Sequence, residues 1–216
     1  MMLEKIFPKV HQEGYKFLAI SAILTLILWS ISDFLGFVFT LITIWVYYFF
    51  RDPERTIIGD DDYLVSPADG LITVIKQAKG PVELGLENKT FTRVSIFMNV
   101  FNCHVNRTPL SGKIEDIFYK PGKFLNASLD KASEENERNY FKIKGNVIDE
   151  VIVVQIAGLI ARRIVTQSQK NQEVKQGDRI GMIRFGSRVD LYFNNCKIMV
   201  KVGQNVIAGE SLIARK

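Results

Sequence analysis

Apolar and polar positions divide the chain into two unlike parts. Between Phe17 and Phe50 the only charge is Asp33. A bilayer-spanning helix needs roughly 20 apolar residues, so the stretch is long for one span and slightly short for two with a loop. Ser30, Ser32 and Asp33 interrupt it. Serine and aspartate compete for backbone hydrogen bonds and favour turns and caps, and a carboxylate at mid-bilayer costs about 2.5–3.5 kcal/mol on insertion scales. The pattern predicts two short helices, Phe17–Trp29 and Phe34–Phe50, folded as a hairpin with Asp33 at a water-facing turn. Such a hairpin either spans the bilayer or lies partly in its interface. Lys5, Lys9 and Lys16 precede the stretch and Arg51 and Arg55 follow it, which puts both ends on the cytoplasmic face by the positive-inside rule. Trp45, Tyr47, Tyr48, Phe49 and Phe50 form an aromatic belt at its exit. A cleaved signal peptide fits poorly, because the apolar part is too long and no small-residue cleavage site follows. A hairpin buried in a protein core is the remaining alternative.

After a charged linker the pattern becomes short and punctuated. Runs rich in Val, Ile, Phe and Tyr predict strands at Leu71–Lys76, Thr92–Met98, Lys113–Tyr119, Tyr140–Ile143, Val151–Ile156, Arg162–Val165, Ile180–Phe185, Arg188–Phe193 and Lys197–Val202. No long helical period appears after residue 60. The expected fold is mainly β, a barrel-sandwich-like domain over 56–216, making an α+β chain with the hairpin and basic linker of 1–55. Val174-Lys-Gln-Gly177-Asp-Arg-Ile180-Gly181 resembles Val202-Gly203-Gln-Asn-Val206-Ile-Ala-Gly209-Glu, each reading as strand, glycine turn, strand. Similar turns occur in lipoyl-type barrel-sandwich hybrids, although no modifiable lysine sits in a matching hairpin. Asn126–Asn139 reads as a solvated loop or as a substrate lid.

Composition narrows the function classes. With 47% hydrophobic and 24% charged residues the chain is not disordered. A net charge of +5 fits an anionic surface without pointing to nucleic acid, and no nucleic-acid partner is expected. Cys103 and Cys196 suit a reducing compartment. His104 is the sole histidine of the polar part, and the cysteines lack a paired spacing, so no metal is expected.

Three positions can carry chemistry. His104 ends an apolar strand. Asp69 lies in an Asp-Gly turn ahead of another. Gly186-Ser187 falls between two strand patterns, where a hairpin turn is the bland explanation. The reactive one is attack of Ser187 Oγ on the Gly186 carbonyl, turning the amide into an ester. β-Elimination and hydrolysis then leave ammonia and an N-terminal pyruvoyl group. Such a step needs a base and an orienting acid, and His104 and Asp69 are the available pair.

Five motifs occur in order: Tyr48-Phe49-Phe50-Arg51-Asp52-Pro53-Glu54-Arg55, Ser66-Pro67-Ala68-Asp69-Gly70, Cys103-His104-Val105-Asn106-Arg107-Thr108-Pro109, Asn136-Glu137-Arg138-Asn139 and Phe185-Gly186-Ser187-Arg188. Together they resemble the short bacterial (type A) phosphatidylserine decarboxylases, or their archaeal-type relatives, from about residue 46 onward. The resemblance implies cleavage at Gly186–Ser187 into a membrane-bound β chain, 1–186, and an α chain, 187–216, which remain together as a heterodimer. Ser187 becomes a covalent pyruvoyl cofactor, whose ketone forms a Schiff base with membrane phosphatidylserine and yields phosphatidylethanolamine at the cell membrane. Asp69 matches the family's triad aspartate. Longer members carry two histidines three residues apart; here the second position is Arg107, so His104 serves both cleavage and turnover or one role has moved. Long forms also have Leu-Gly-Ser-Thr at the cleavage site, where this chain has Phe-Gly-Ser-Arg. Arg51, Arg55, Arg93, Arg107, Arg162 and Arg163 are candidates for the lipid phosphate, because guanidinium forks bind phosphate bidentately. Arg107 ranks first for its nearness to His104. The alternatives are an archaetidylserine-type decarboxylase, a membrane-anchored Ser-His-Asp hydrolase without the Gly-x-Ser-x-Gly elbow, and a non-catalytic barrel domain that carries a partner.

Overall fold

The computed structural model describes residues 7–125, 134–158, 163–184 and 187–216. The chain divides into two compact units, 1–54 and 55–216.

The first unit is a helical hairpin, α1 (Tyr15–Trp29) and α2 (Asp33–Phe49). The break falls at Ser30, Ile31 and Ser32, and Asp33 supplies an acidic first turn to α2, where the helix dipole favours negative charge. The seam is made of small and polar groups. Thr25 Oγ1 lies 2.9 Å from Thr43 Oγ1, and Trp29 Nε1 donates to Thr40 Oγ1 at 3.1 Å. Gly36 lies so close beneath the Trp29 indole that an added Cβ would collide with the ring. The apolar side chains turn outward instead, with Ile20, Ile23, Leu26, Phe34, Phe37 and Ile44 all exposed. At about 1.5 Å per residue the helices are about 22 and 26 Å long. Among the described residues, no helix is long and apolar enough to cross a membrane.

The second unit is mainly β. Its strands are β1 (Tyr63–Val65), β2 (Gly70–Lys79), β3 (Thr90–Met98), β4 (Val105–Arg107), β5 (Gly112–Lys120), β6 (Arg138–Gly145), β7 (Val151–Ala157), β8 (Arg163–Thr166), β9 (Glu173–Val174), β10 (Arg179–Arg184), β11 (Ser187–Phe193), β12 (Lys197–Ile198), β13 (Asn205–Val206) and β14 (Leu212–Arg215). An antiparallel sheet runs β13-β2-β3-β11-β7-β6-β5-β9, and two three-stranded sheets run β1-β14-β12 and β4-β10-β8. Ile72, Val94, Ile96, Val153, Val189 and Leu191 point into the main core. Phe91, Tyr140, Ile152, Val154 and Tyr192 form a second apolar cluster. Alternate residues of β7 and β11 serve different clusters, which is why those strands are buried throughout.

The topology is duplicated. Each sheet order keeps its pairing when β13, β2, β3, β11, β1, β14 and β12 exchange with β9, β5, β6, β7, β4, β10 and β8. Local details follow the exchange. β2 is irregular between Ile72 and Val74, and β5 between Ile114 and Asp116. Gly209 N–H donates to Ser66 O at 2.8 Å, and Gly177 N–H to Thr108 O at 2.9 Å. The recurrence of Val174 and Gly177 is therefore matched by Val206 and Gly209. The expected strand Lys197–Val202 is shorter than the pattern suggests, because regular pairing ends at Ile198 and the chain turns through Gly203 to β13. Gly177 and Gly209 have φ of +83° and +79°, and a Cβ on either would meet Ile57 Cδ1. Ile57 thus ties the segment after Arg55 to both turns.

Candidate active site

The ends of several strands meet at the start of β11. Met98 closes β3 and pairs with Ser187, the first residue of β11; Ala157 closes β7 and pairs with Ser187 from the other side. Ser187 has no solvent exposure, and its Oγ donates to Met98 Sδ at 3.4 Å. Gly186, the other half of the expected cleavage site, lies outside the described residues, as does Arg162.

His104 precedes β4 and is fully buried. Its backbone carbonyl accepts from Ile183 N–H at 3.3 Å, which places it beside the end of β10, close in sequence to Ser187. Its Nδ1 lies 3.0 Å from Asn102 O. A carbonyl only accepts, so Nδ1 carries the proton and Nε2 is the basic nitrogen.

Asp69 reaches the same region because Arg107 N–H donates to Pro67 O at 2.9 Å, joining the Asp69 and His104 segments through their backbones. Its carboxylate is held by Arg55 and the Ala208 amide. Arg55 NH2 donates to both oxygens, at 3.0 and 2.8 Å, and Ala208 N–H donates to Oδ1 at 2.8 Å. Asp69 thus forms an ion pair with Arg55, an arginine assigned from sequence to the lipid phosphate.

The other arginines divide in the same way. Arg107 is buried, and its NH1 donates to Gly177 O at 2.8 Å. It props a turn and presents no guanidinium fork to solvent. Arg51 sits over the Tyr48 ring at 3.7 Å. Arg93 NH1 lies 3.9 Å from Asp190 Oδ2. Arg163, at the start of β8 and opposite Arg184, is exposed.

Residues 136–139 depart from a solvated loop. Asn136 is fully buried: its Oδ1 accepts from Leu125 N–H, and its Nδ2 donates to Leu125 O and Ala157 O. Glu137 Oε1 accepts from Ile164 N–H at 3.0 Å. These side chains pin β8 and the chain near Leu125 to the end of β7, opposite Ser187. Residues 126–133 of the expected lid lie outside the described residues. Sequence reasoning also passed over Met98 and Gln155, which lie in strands that read simply as core, and gave no separate role to Asn106 of the Cys103–Pro109 motif.

Comparison with known proteins gives the same direction. The family model described as phosphatidylserine decarboxylase matches residues 42–214. A protein of Pelagibacter ubique (strain HTCC1062) named phosphatidylserine decarboxylase proenzyme is 66% identical over 215 residues, covering 100% of both chains. Proteins of the same name are 49% identical in Ruegeria pomeroyi (strain ATCC 700808 / DSM 15171 / DSS-3), over 99% of this chain and 98% of that one, and 50% identical in Rickettsia typhi (strain ATCC VR-144 / Wilmington), over 97% and 91%.

Proposed function

This chain belongs to the phosphatidylserine decarboxylase family of carboxy-lyases, and from that premise we propose that it is made as a precursor, splits between Gly186 and Ser187, and converts Ser187 into a pyruvoyl group. That group supplies the electron-accepting ketone for Schiff-base decarboxylation of phosphatidylserine to phosphatidylethanolamine, the work a bound cofactor does elsewhere. The residues suit it. Met98 and Ala157 pair with Ser187 and, like Val189 two residues along β11, are uncharged and buried, a setting that favours a neutral ketone over an ionised group.

The observation that carries the reading is the burial of the Ser187 hydroxyl. A hydrolase must expose its nucleophile to an outside acyl group. A hydroxyl with no solvent exposure is instead positioned to react with its own chain. His104 Nε2 is the base for that attack, and on the mature enzyme the donor that returns a proton to the substrate carbon. Asp69, with Arg55 and the Ala208 amide, is a fixed charge cluster beside it.

The hairpin explains how a diacyl substrate is met. A soluble enzyme would have to expose acyl chains at about 0.8 kcal/mol per CH₂. The polar seam and apolar exterior of α1 and α2 follow the packing of helices in lipid, where small residues and interhelical hydrogen bonds hold the pair. The hairpin therefore seats the protein in the cell membrane, with both ends and the β unit on the cytoplasmic side.

Intact-mass measurement tests the reading. Purified protein is expected as two chains, 1–186 and 187–216, the smaller blocked at its N-terminus. Ser187→Ala is expected to remain one chain of 24.6 kDa, and His104→Ala to lose splitting, turnover or both. A single uncleaved chain recovered from active material rejects the proposal.

A further inference from the structure

Buried polar side chains inside the β unit form one directed chain. Asn139 Nδ2 donates to Thr166 Oγ1 at 3.0 Å and to Gln155 Oε1 at 3.2 Å. Gln155 Nε2 donates to Asn106 Oδ1 at 2.8 Å. Asn106 Nδ2 then donates to Met98 Sδ at 3.7 Å, the same sulfur that accepts from Ser187 Oγ. Asn106, Asn139 and Gln155 are all fully buried. Leaving one such group unsatisfied costs about 1–3 kcal/mol, and a thioether is a weak acceptor, so packing alone gives little reason to end the chain on sulfur. Nor can the terminal amide turn round. Gln155 occupies Asn106 Oδ1 with a donor, so the NH₂ group must face Met98.

We infer that Asn106 is a further catalytic residue of maturation: its Nδ2–H receives the negative charge that develops on Ser187 Oγ, with Gln155 and Asn139 as positioning residues. The inference rests on the self-cleavage reading above.

Oγ reverses its hydrogen-bonding character along that route. In the precursor it is a donor, and sulfur suffices as its partner. It then bonds to the Gly186 carbonyl carbon while the Gly186–Ser187 C–N bond breaks. The hydroxyl proton passes to the base, and a proton is delivered to the nitrogen. Oγ is now an ester oxygen. Next a base removes the Ser187 α-proton, that electron pair forms the Cα=Cβ bond, and the Cβ–Oγ bond breaks. Oγ leaves as part of the Gly186 carboxylate. Water finally displaces ammonia from the imine tautomer of the new N-terminus, giving the ketone. During the elimination, charge gathers on an oxygen shut away from water, where the Met98 sulfur has no proton to give. Asn106, bonded to that same sulfur, brings a donor whose orientation is already fixed. One preorganised donor at a developing oxyanion is worth about 10²–10³ in rate.

The experiment uses the full-length protein with Asn106→Leu, similar in size and apolar, and Asn106→Asp, which keeps the shape and removes the donor. Samples are treated with hydroxylamine, which opens esters and spares amides. Both variants are expected to mature about 100-fold more slowly, and hydroxylamine should release from them a fragment beginning with unmodified Ser187. Gln155→Met, which frees the Asn106 amide to rotate, should show the same ester with a slowing of about 10-fold. If Asn106→Leu does not fold, Asn106→Asp and Gln155→Met decide the matter. Wild-type maturation rates in a folded variant overturn the inference, and so does a stall in which the linkage resists hydroxylamine. Wild-type protein that never splits overturns the underlying reading together with this one, and is told apart because no variant then differs from it.

Discussion

Arg55 carries more of the site than its place in a charged linker suggests. It bonds both oxygens of Asp69, and the two side chains are only 13% and 11% exposed, so solvent does little to screen the pair. Hydrogen bonds to charged groups contribute about 1.5–3 kcal/mol. Arg55→Met is expected to lower stability by about 2 kcal/mol in urea unfolding and to slow precursor splitting. Arg55→Lys should restore part of both, since it keeps the charge and loses the fork. Asp69 and His104 stand out in the sequence because each sits in a motif next to a strand. The Arg55 ion pair does not, because the partners stand 14 positions apart and linker arginines usually face water. Met98 was hidden for another reason: a methionine ending an apolar strand looks like core, and only the fold sets its sulfur against a serine from β11.

Among the elements, the long strands were readable and the short ones were not. Two-residue strands such as β9, β12 and β13 carry no period, and they exist because neighbouring strands offer them an edge. The glycine turns of the duplication left a trace in sequence. The matching turns ahead of β2 and β5, Ser66-Pro67-Ala68-Asp69-Gly70 and Thr108-Pro109-Leu110-Ser111-Gly112, diverged enough to go unnoticed. Their glycines show what has been kept. A Cβ at Gly112 would collide with Lys144 O, and one at Gly70 with Phe97 O. Each glycine lets a strand start tight against its neighbour's backbone. Gly112→Ala lies in the copy that does not contain Ser187. It is expected to cost about 1–3 kcal/mol through overpacking, read as a lower melting temperature, while any material that folds still splits at the normal rate.

For the molecule as a whole, the proposed attachment to lipid rests on α1 and α2. Residues 55–216 form a compact unit of their own, so deleting the hairpin is expected to leave a chain that still splits but no longer floats with phosphatidylserine vesicles in a density gradient. Turnover of a short-chain, water-dispersed substrate should survive the deletion better than turnover in vesicles. Continued flotation of the truncated chain would relocate the membrane-binding surface to the β unit. The helices were plain in the sequence because so long an apolar run with a single charge, Asp33, stands apart from the rest of the chain. Their length in the structure, about 22 and 26 Å, is less than a hydrocarbon core of about 30 Å.

The segment from Ser187 onward supplies β11 at the middle of the large sheet, β13 at its edge, and β12 and β14 to a second sheet. Under the proposed cleavage it becomes a guest woven through its host, and neither piece retains a complete set of partners. The information for refolding is then split between two molecules that must find each other in solution. Heat or denaturant should therefore destroy the mature enzyme irreversibly, while the uncut Ser187→Ala chain recovers on cooling. Such an enzyme is assembled once, and its lifetime is set by how slowly it comes apart.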